Sequence, residues 1–204
     1  MTGVEFDETA FAGPEHLDPA YVAGYDRKAA FDPADDVAVL RSHGLDNDST
    51  VIDFGAGTGT FALAAAPYCR RVIAVDVSPA MLSALRAKAA STGAVNIAPV
   101  QAGFLSYAHD GGPVEAVYSR NALHHLPDLW KAIAPRRMER WIDATSTDRS
   151  EIGWTRAELE THVRDEHSTF TWLLEPMLVQ AGFEIVKAVY APLGAYAEYT
   201  CVRS

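Results

Sequence analysis

Three glycines fall at positions 55, 57 and 59 of the stretch VIDFGAGTGT, and an acid, Asp53, stands two residues before the first of them. A glycine-rich turn between a strand and a helix lets a ligand approach the backbone closely. A dinucleotide fingerprint, GxGxxG, needs its third glycine where this chain has Thr60. A triphosphate-cradling loop needs a lysine followed by Ser or Thr, and the stretch has none. Asp53 points the same way, since a carboxylate at the strand end suits a cationic ligand group and repels a phosphate. Asp76 follows Gly55 by 21 residues, the distance at which an acid in such folds accepts both hydroxyls of a ribose. The loop therefore asks for a ligand with a ribose and a positive charge but no phosphate.

The elements that must position these residues are legible in the pattern. From TVIDF onward, short β-rich runs alternate with helical stretches, the signature of βαβ units and a parallel sheet. A first strand over 51–54 leads through the glycines into a helix, TFALAAA, that Pro67 ends. The second strand, RVIAVDV, is followed by Ser78 as N-cap, Pro79 at the first helical position, and a helix closed by Gly93. A third strand, VNIAPV, contains Pro99, which cannot donate to a ladder and so predicts a sheet edge. VEAVYS is the fourth strand, and PDLWKAIA reads as a helix. Thr155 and Glu158 form a capping box for RAELETHVRDE, and TWLLEPMLVQA, carrying Pro176, ends at Gly182. FEIVKAVY and AYAEYTCV, joined by APLG, predict a terminal hairpin.

A chain of 204 residues, 49% hydrophobic, is in the size range of one domain with a good core. Lys+Arg 17 against Asp+Glu 27 gives a net charge of -10, a field that repels phosphate backbones and anionic membranes. We expect neither a nucleic-acid nor a membrane partner. Cys69 and Cys201 match neither a disulfide framework nor a metal site, and the scattered histidines argue against zinc. The acidic N-terminus is broken by Gly and Pro, and no apolar run approaches membrane-spanning length; a cytoplasmic location is expected.

S-adenosylmethionine combines a ribose with positive groups and has no phosphate. The stretches VIDFGAGTG, VIAVDVSPAML and AVYSRNALHHL resemble the class I S-adenosylmethionine-dependent methyltransferases, in their broad small-molecule (type 11/25-like) branch. The resemblance covers residues 51 to about 126. It implies an α/β, doubly wound, mostly parallel seven-stranded sheet of order 3-2-1-4-5-7-6 with a C-terminal antiparallel hairpin. Asp53 and the backbone of Gly55, Ala56, Gly57 and Gly59 would hold the methionine moiety, and Asp76 the ribose hydroxyls. Val77 and Met81 would pack against the adenine. QAGF would border its edge; the family often has an acid where this chain has Gly103, so backbone contacts around Phe104 are expected there. Asn121 would lie beneath the cofactor near the transferred methyl, and Tyr25, with Tyr21 and Lys28, on a helix folded over it.

The expected reaction is a single SN2 transfer to a small-molecule acceptor through O, N or C, leaving S-adenosylhomocysteine. A base is needed only where the acceptor must lose a proton, and His125 is the first candidate, His167 the second. The pattern of enzymes that methylate exocyclic amines of DNA bases is absent from SRNALHH, and the magnesium-binding acids of the catechol type are not found. The rivals are a non-catalytic cofactor-binding protein of the same fold and a nicotinamide oxidoreductase, the latter disfavoured by Thr60 and Asp53. Residues 1–48 read as an N-terminal cap, 49–126 as the cofactor-binding half, and 127–204 as the acceptor side and hairpin. The oligomeric state is not legible; a homodimer is compatible. One departure stands out: APRRMERWIDATSTDRSEIGW holds no β-rich run for the fifth strand, and the pattern predicts residues missing near Met138 to Trp141.

Overall fold

The computed structural model of the chain describes residues 8–125, 142–148, 153–165, 171–191 and 197–203. They fall into two compact units, Met1–Ala122 and Leu123–Ser204.

The first unit is built on β1 (Thr50–Phe54), β2 (Arg71–Asp76), β3 (Ile97–Gln101) and β4 (Ala116–Ser119), paired in the order β3-β2-β1-β4 with every pairing parallel. The two central strands are near-continuous apolar runs because both faces are covered. Pro99 sits on β3, which pairs only with β2 among the described strands, as its missing N–H requires.

Four N-terminal helices, α1 (Pro14–Leu17), α2 (Pro19–Val22), α3 (Tyr25–Lys28) and α4 (Ala34–Ser42), precede the sheet; α5 (Thr60–Ala65) and α6 (Pro79–Thr92) are its crossovers. On one face, Val51, Val72 and Ala74 pack with Phe61, Ala62 and Ala65 of α5 and Val37 of α4. Phe61 also stacks on Tyr118, ring centroids 3.6 Å apart. Burying a Phe of this kind stabilises by about 2–3 kcal/mol. The other face gathers Ile52, Ile73 and Val75 under Phe54, Val100 and Tyr107.

The second unit contains a helical turn at 142–145, then α7 (Arg156–Asp165) and α8 (Thr171–Gln180), and a hairpin of β5 (Phe183–Tyr190) and β6 (Ala197–Arg203). The capping box forms reciprocally: the Glu158 carboxylate accepts from Thr155 N at 2.8 Å, and Thr155 Oγ1 accepts from Glu158 N at 3.3 Å. The hairpin is antiparallel with an irregularity between Ile185 and Lys187. Tyr190 and Tyr199 both donate to Glu175 of α8, tying helix to hairpin.

The expected order 3-2-1-4 and the terminal hairpin are present. Among the described residues no fifth parallel strand lies between β4 and the hairpin. The expected helix PDLWKAIA and the stretch from Met138 to Trp141 lie outside the described residues. No described helix is long and apolar enough to cross a membrane.

Ser78 is the joint between the β2 turn and the N-terminal helices. Its hydroxyl accepts from Met81 N at 3.1 Å, capping α6, and donates to His16 O at 2.6 Å. Ser78→Ala removes a cap and orphans a carbonyl, and is expected to cost about 2 kcal/mol in urea unfolding. An unchanged midpoint would contradict this role.

Candidate functional site

The glycine loop, the β2 turn and the segments after β3 and β4 meet at the carboxyl end of the sheet. All three loop glycines adopt left-handed backbone, with φ of 71° at Gly55, 54° at Gly57 and 86° at Gly59. A Cβ on Gly55 would lie 2.2 Å from that of Ala122, and one on Gly59 2.6 Å from Leu85 Cγ, so both are also dictated by close packing. At Gly57 an added Cβ would meet nothing within 4 Å, so the loop keeps room there for a ligand.

Four of the loop's N–H donors are committed to the protein. Gly55 N and Ala56 N both donate to Val75 O, at 2.8 and 3.0 Å, Gly59 N to Ala56 O at 2.9 Å, and Gly57 N to Asp76 Oδ2 at 2.8 Å. A phosphate cradle needs such N–H groups turned outward. The hydrogen bonding therefore supports what the spacing implied.

Asp53 and Asp76 share a face of the sheet, because Asp53 pairs with Ala74 and Asp76 lies two residues further along β2. Asp53 is 2% exposed, and its Oδ2 has no hydrogen-bond partner. Burial first, and then the Asp76 carboxylate, push its pKa up to about 8. Burial raises Asp76 as well, against the lowering effect of N–H bonds from Ser78 and Gly57 and of the nearby His16. Those two bonds fix the Asp76 carboxylate, one on each oxygen, Ser78 N reaching Oδ1 at 2.8 Å. Each oxygen retains acceptor capacity, as paired ribose hydroxyls require.

Val77 follows Asp76 half-buried, and Met81 is 4% exposed on the first turn of α6. Phe104 stacks on Phe54 at 5.0 Å. Asn121, just past β4, has φ 51°, the one positive value among described residues other than glycine. Tyr25 forms an edge-on cluster with Tyr21 and His16. His125 lies half-buried in a short turn, Leu123–His125, of the second unit, and His167 is outside the described residues.

Three residues escaped the sequence reading. The Glu8 carboxylate, 8% exposed, accepts from Leu105 N at 3.0 Å, Ser106 N at 2.8 Å and Ser106 Oγ at 2.6 Å. A Cβ on Gly103 would meet that carboxylate at 2.4 Å, so a carboxylate from the N-terminal segment fills the space beside Gly103. Asp26 of α3 accepts from the buried Thr58 hydroxyl of the glycine loop and pairs with Lys88 of α6. Arg120, one residue before Asn121, reaches Asp36 of α4 at 3.2 Å. Glu8 and Asp26 had no local signal; Arg120 had one, its place two residues beyond Tyr118 in the stretch carrying the resemblance.

The Asp53 value sets a pH dependence. From its ordinary value of 3.8 up to about 8, the folded chain keeps a proton that the unfolded chain has lost, so this group's contribution to stability falls as pH rises through that window. Asp53→Asn removes the titration. The ligand-free wild type is expected to lose urea midpoint relative to Asp53→Asn between about pH 4 and about pH 8 and to level off above it. A difference between the two that is flat with pH would contradict the burial.

Residues 51–143 match the family model described as a methyltransferase domain. The uncharacterized methyltransferase YcgJ of Bacillus subtilis (strain 168) is 32% identical over 83 residues, 41% of this chain and 33% of that protein. The chain thus spans about a third of the length of the curated relative it matches. Among solved structures, magnesium protoporphyrin IX methyltransferase from Synechocystis PCC 6803, with bound SAM, aligns over all of both chains with a TM-score of 0.65 at 16% identity. A SAM-dependent methyltransferase from Aquifex aeolicus aligns over 88% of this chain and 95% of its own, with a TM-score of 0.55 at 19% identity. At such identities the structures establish the fold. Sequence match and fold agree: residues 51–143 carry the methyltransferase-domain match, and the chain shares the fold of the S-adenosylmethionine-dependent methyltransferases.

Proposed function

We propose that this chain transfers a methyl group from S-adenosylmethionine to a small-molecule acceptor, leaving S-adenosylhomocysteine. The observation that carries the reading is the unpartnered, buried Asp53 oxygen one strand away from the fixed Asp76 carboxylate, beneath a loop whose N–H groups are turned inward. A cation completes Asp53, a ribose completes Asp76, and a phosphate would find the N–H groups of Gly55, Ala56, Gly57 and Gly59 already engaged. The residues present therefore fit this cofactor, whose sulfonium supplies a methyl carbon already activated for displacement.

In this reading the chain's own work is positioning and exclusion of water. Asp53 and the backbone from Gly55 to Gly59 hold the amino-acid end, and Asp76 accepts the two ribose hydroxyls. Val77 and Met81 line the adenine, and Gly103 and Phe104 border it. Asn121 lies beneath the reacting centre, and Tyr25 belongs to the cover. His125 takes a proton where the acceptor must lose one, with His167 as the second choice. The acceptor, methylated on O, N or C, is chosen by segments without a motif. The site of action is the cytoplasm.

Incubation with methyl-labelled S-adenosylmethionine and a panel of small hydroxyl, amine and carbon acceptors tests the proposal. Label on an acceptor together with S-adenosylhomocysteine is expected. Cofactor binding with no transfer to any acceptor would favour the non-catalytic rival, and tighter binding of NAD would favour the oxidoreductase. Asp76→Ala is expected to weaken S-adenosylhomocysteine binding by about 1–3 kcal/mol in calorimetry, because two hydroxyls lose a charged acceptor. An unchanged affinity would contradict the assignment.

A further inference from the structure

A recess of about 490 Å³, within the size range of small-ligand sites, opens at the amino ends of β1, β2 and β3. Thr50, Arg71 and Ile97, the first residues of those strands, line it together with Arg70. The cofactor loop is at the other end of the sheet. From Arg71 to Asp76, β2 spans roughly 17 Å, so the recess and the cleft do not overlap.

The recess is cationic, in a chain whose net charge is -10. Arg70 is aimed by two neutral acceptors: its Nε donates to Asp48 O at 3.0 Å and its Nη2 to Thr50 Oγ1 at 2.9 Å. Neither bond cancels its charge. The Arg71 side chain has no hydrogen bond and no ion pair among the described residues. Three acids lie at this end of the molecule, and none forms an ion pair with either arginine: Glu115, whose carboxylate accepts from Thr50 N at 2.7 Å, Asp48 and Asp110. Two guanidiniums on consecutive residues repel one another, and an anion between them would reverse the sign of that interaction.

The rest of the wall is firmly built. The His109 ring meets Gly112 O through Nε2 at 2.8 Å and the Tyr107 hydroxyl through Nδ1 at 3.0 Å, closing the loop that borders the recess. A Cβ on Gly111 would lie 2.9 Å from that ring, so the closure needs a glycine there. Asn96 Nδ2 donates to Ala66 O and Cys69 O at 2.8 and 2.9 Å, fixing the entry to β3. Val95, which is 95% exposed, Ile97 and Pro113 supply apolar surface beside the charges.

A guanidinium presents parallel N–H groups that match a carboxylate. We infer that this recess binds a small organic anion, a carboxylate carried on an apolar body: Arg71, with Arg70 beside it, takes the carboxylate, and Val95, Ile97 and Pro113 cover the body. The site stands apart from the cofactor cleft and does not depend on the methyltransferase reading.

The test is an NMR titration of the full chain with benzoate, with benzyl alcohol, which keeps the ring and lacks the charge, and with inorganic phosphate, which has charge and no apolar body. Benzoate at millimolar concentration is expected to cause saturable shifts of the amides of Asn96, Ile97, Gly111 and Gly112. Benzyl alcohol and phosphate should each bind about tenfold or more weaker. Arg71→Gln, an exchange at an exposed side chain, should bind benzoate no better than benzyl alcohol while its other amide shifts stay in place, and Arg71→Lys should keep part of the preference. Absence of saturable shifts with benzoate, shifts confined to Gly55 to Gly59, equal affinity for benzoate and either control, or an Arg71→Gln chain that keeps the preference would overturn the proposal.

Discussion

Burying a carboxylate without a partner is among the costlier arrangements a fold can contain, because the charged form loses its hydration and gains nothing in exchange. Asp53 is in that position: it is 2% exposed, one of its oxygens is unpartnered, and a second acid, Asp76, lies on the same face. A hydrophobic residue at this point of β1 would pack against the Val51 row without penalty. The strand instead keeps an acid where the sheet meets the glycine loop, and holding its proton up to about pH 8 limits the cost. The arrangement is understandable as a cation site completed by a ligand.

The surroundings are organised about the same point. The loop turns its donors inward, to Val75, Ala56 and Asp76, and leaves space at Gly57. The N-terminal segment then crosses the loops after three strands, meeting the β1 loop through Asp26 and Thr58, the β2 turn through His16 and Ser78, and the β3 turn through Glu8. Asp26 and Glu8 contribute side chains and His16 its backbone carbonyl to loops that build the cleft, so the cover and the site are stabilised by the same groups. Arg120 adds a positive group at the neighbouring strand end, held by Asp36 from α4.

What the sequence disclosed is what local chemistry controls. The strand ends at Asp53 and Asp76, the cap at Ser78, the stop at Gly93, the edge strand marked by Pro99 and the capping box of Thr155 with Glu158 all depend on residues within a few positions of one another. Glu8 is different, because its partners lie 97 and 98 residues away and nothing in the acidic N-terminus marks it among its neighbours. Asp26 is hidden for the same reason, with Thr58 32 residues away. Arg120 was passed over because the spacing argument weighed the residues beside it, Asn121 and the histidines, and its partner Asp36 lies 84 residues away. The acceptor side stays without a motif, since a pocket built from variable segments has no fixed spacing to read.

The central claim is that Asp53 waits, protonated, for a cation. It is tested most directly by calorimetric titration of S-adenosylhomocysteine in buffers of different ionisation enthalpy at about pH 7, below the Asp53 value of about 8. The account predicts that wild type releases close to one proton for each ligand bound, as Asp53 ionises to meet the ammonium, and that Asp53→Asn binds more weakly with no such release. Tight binding by wild type with no net proton exchange would contradict it.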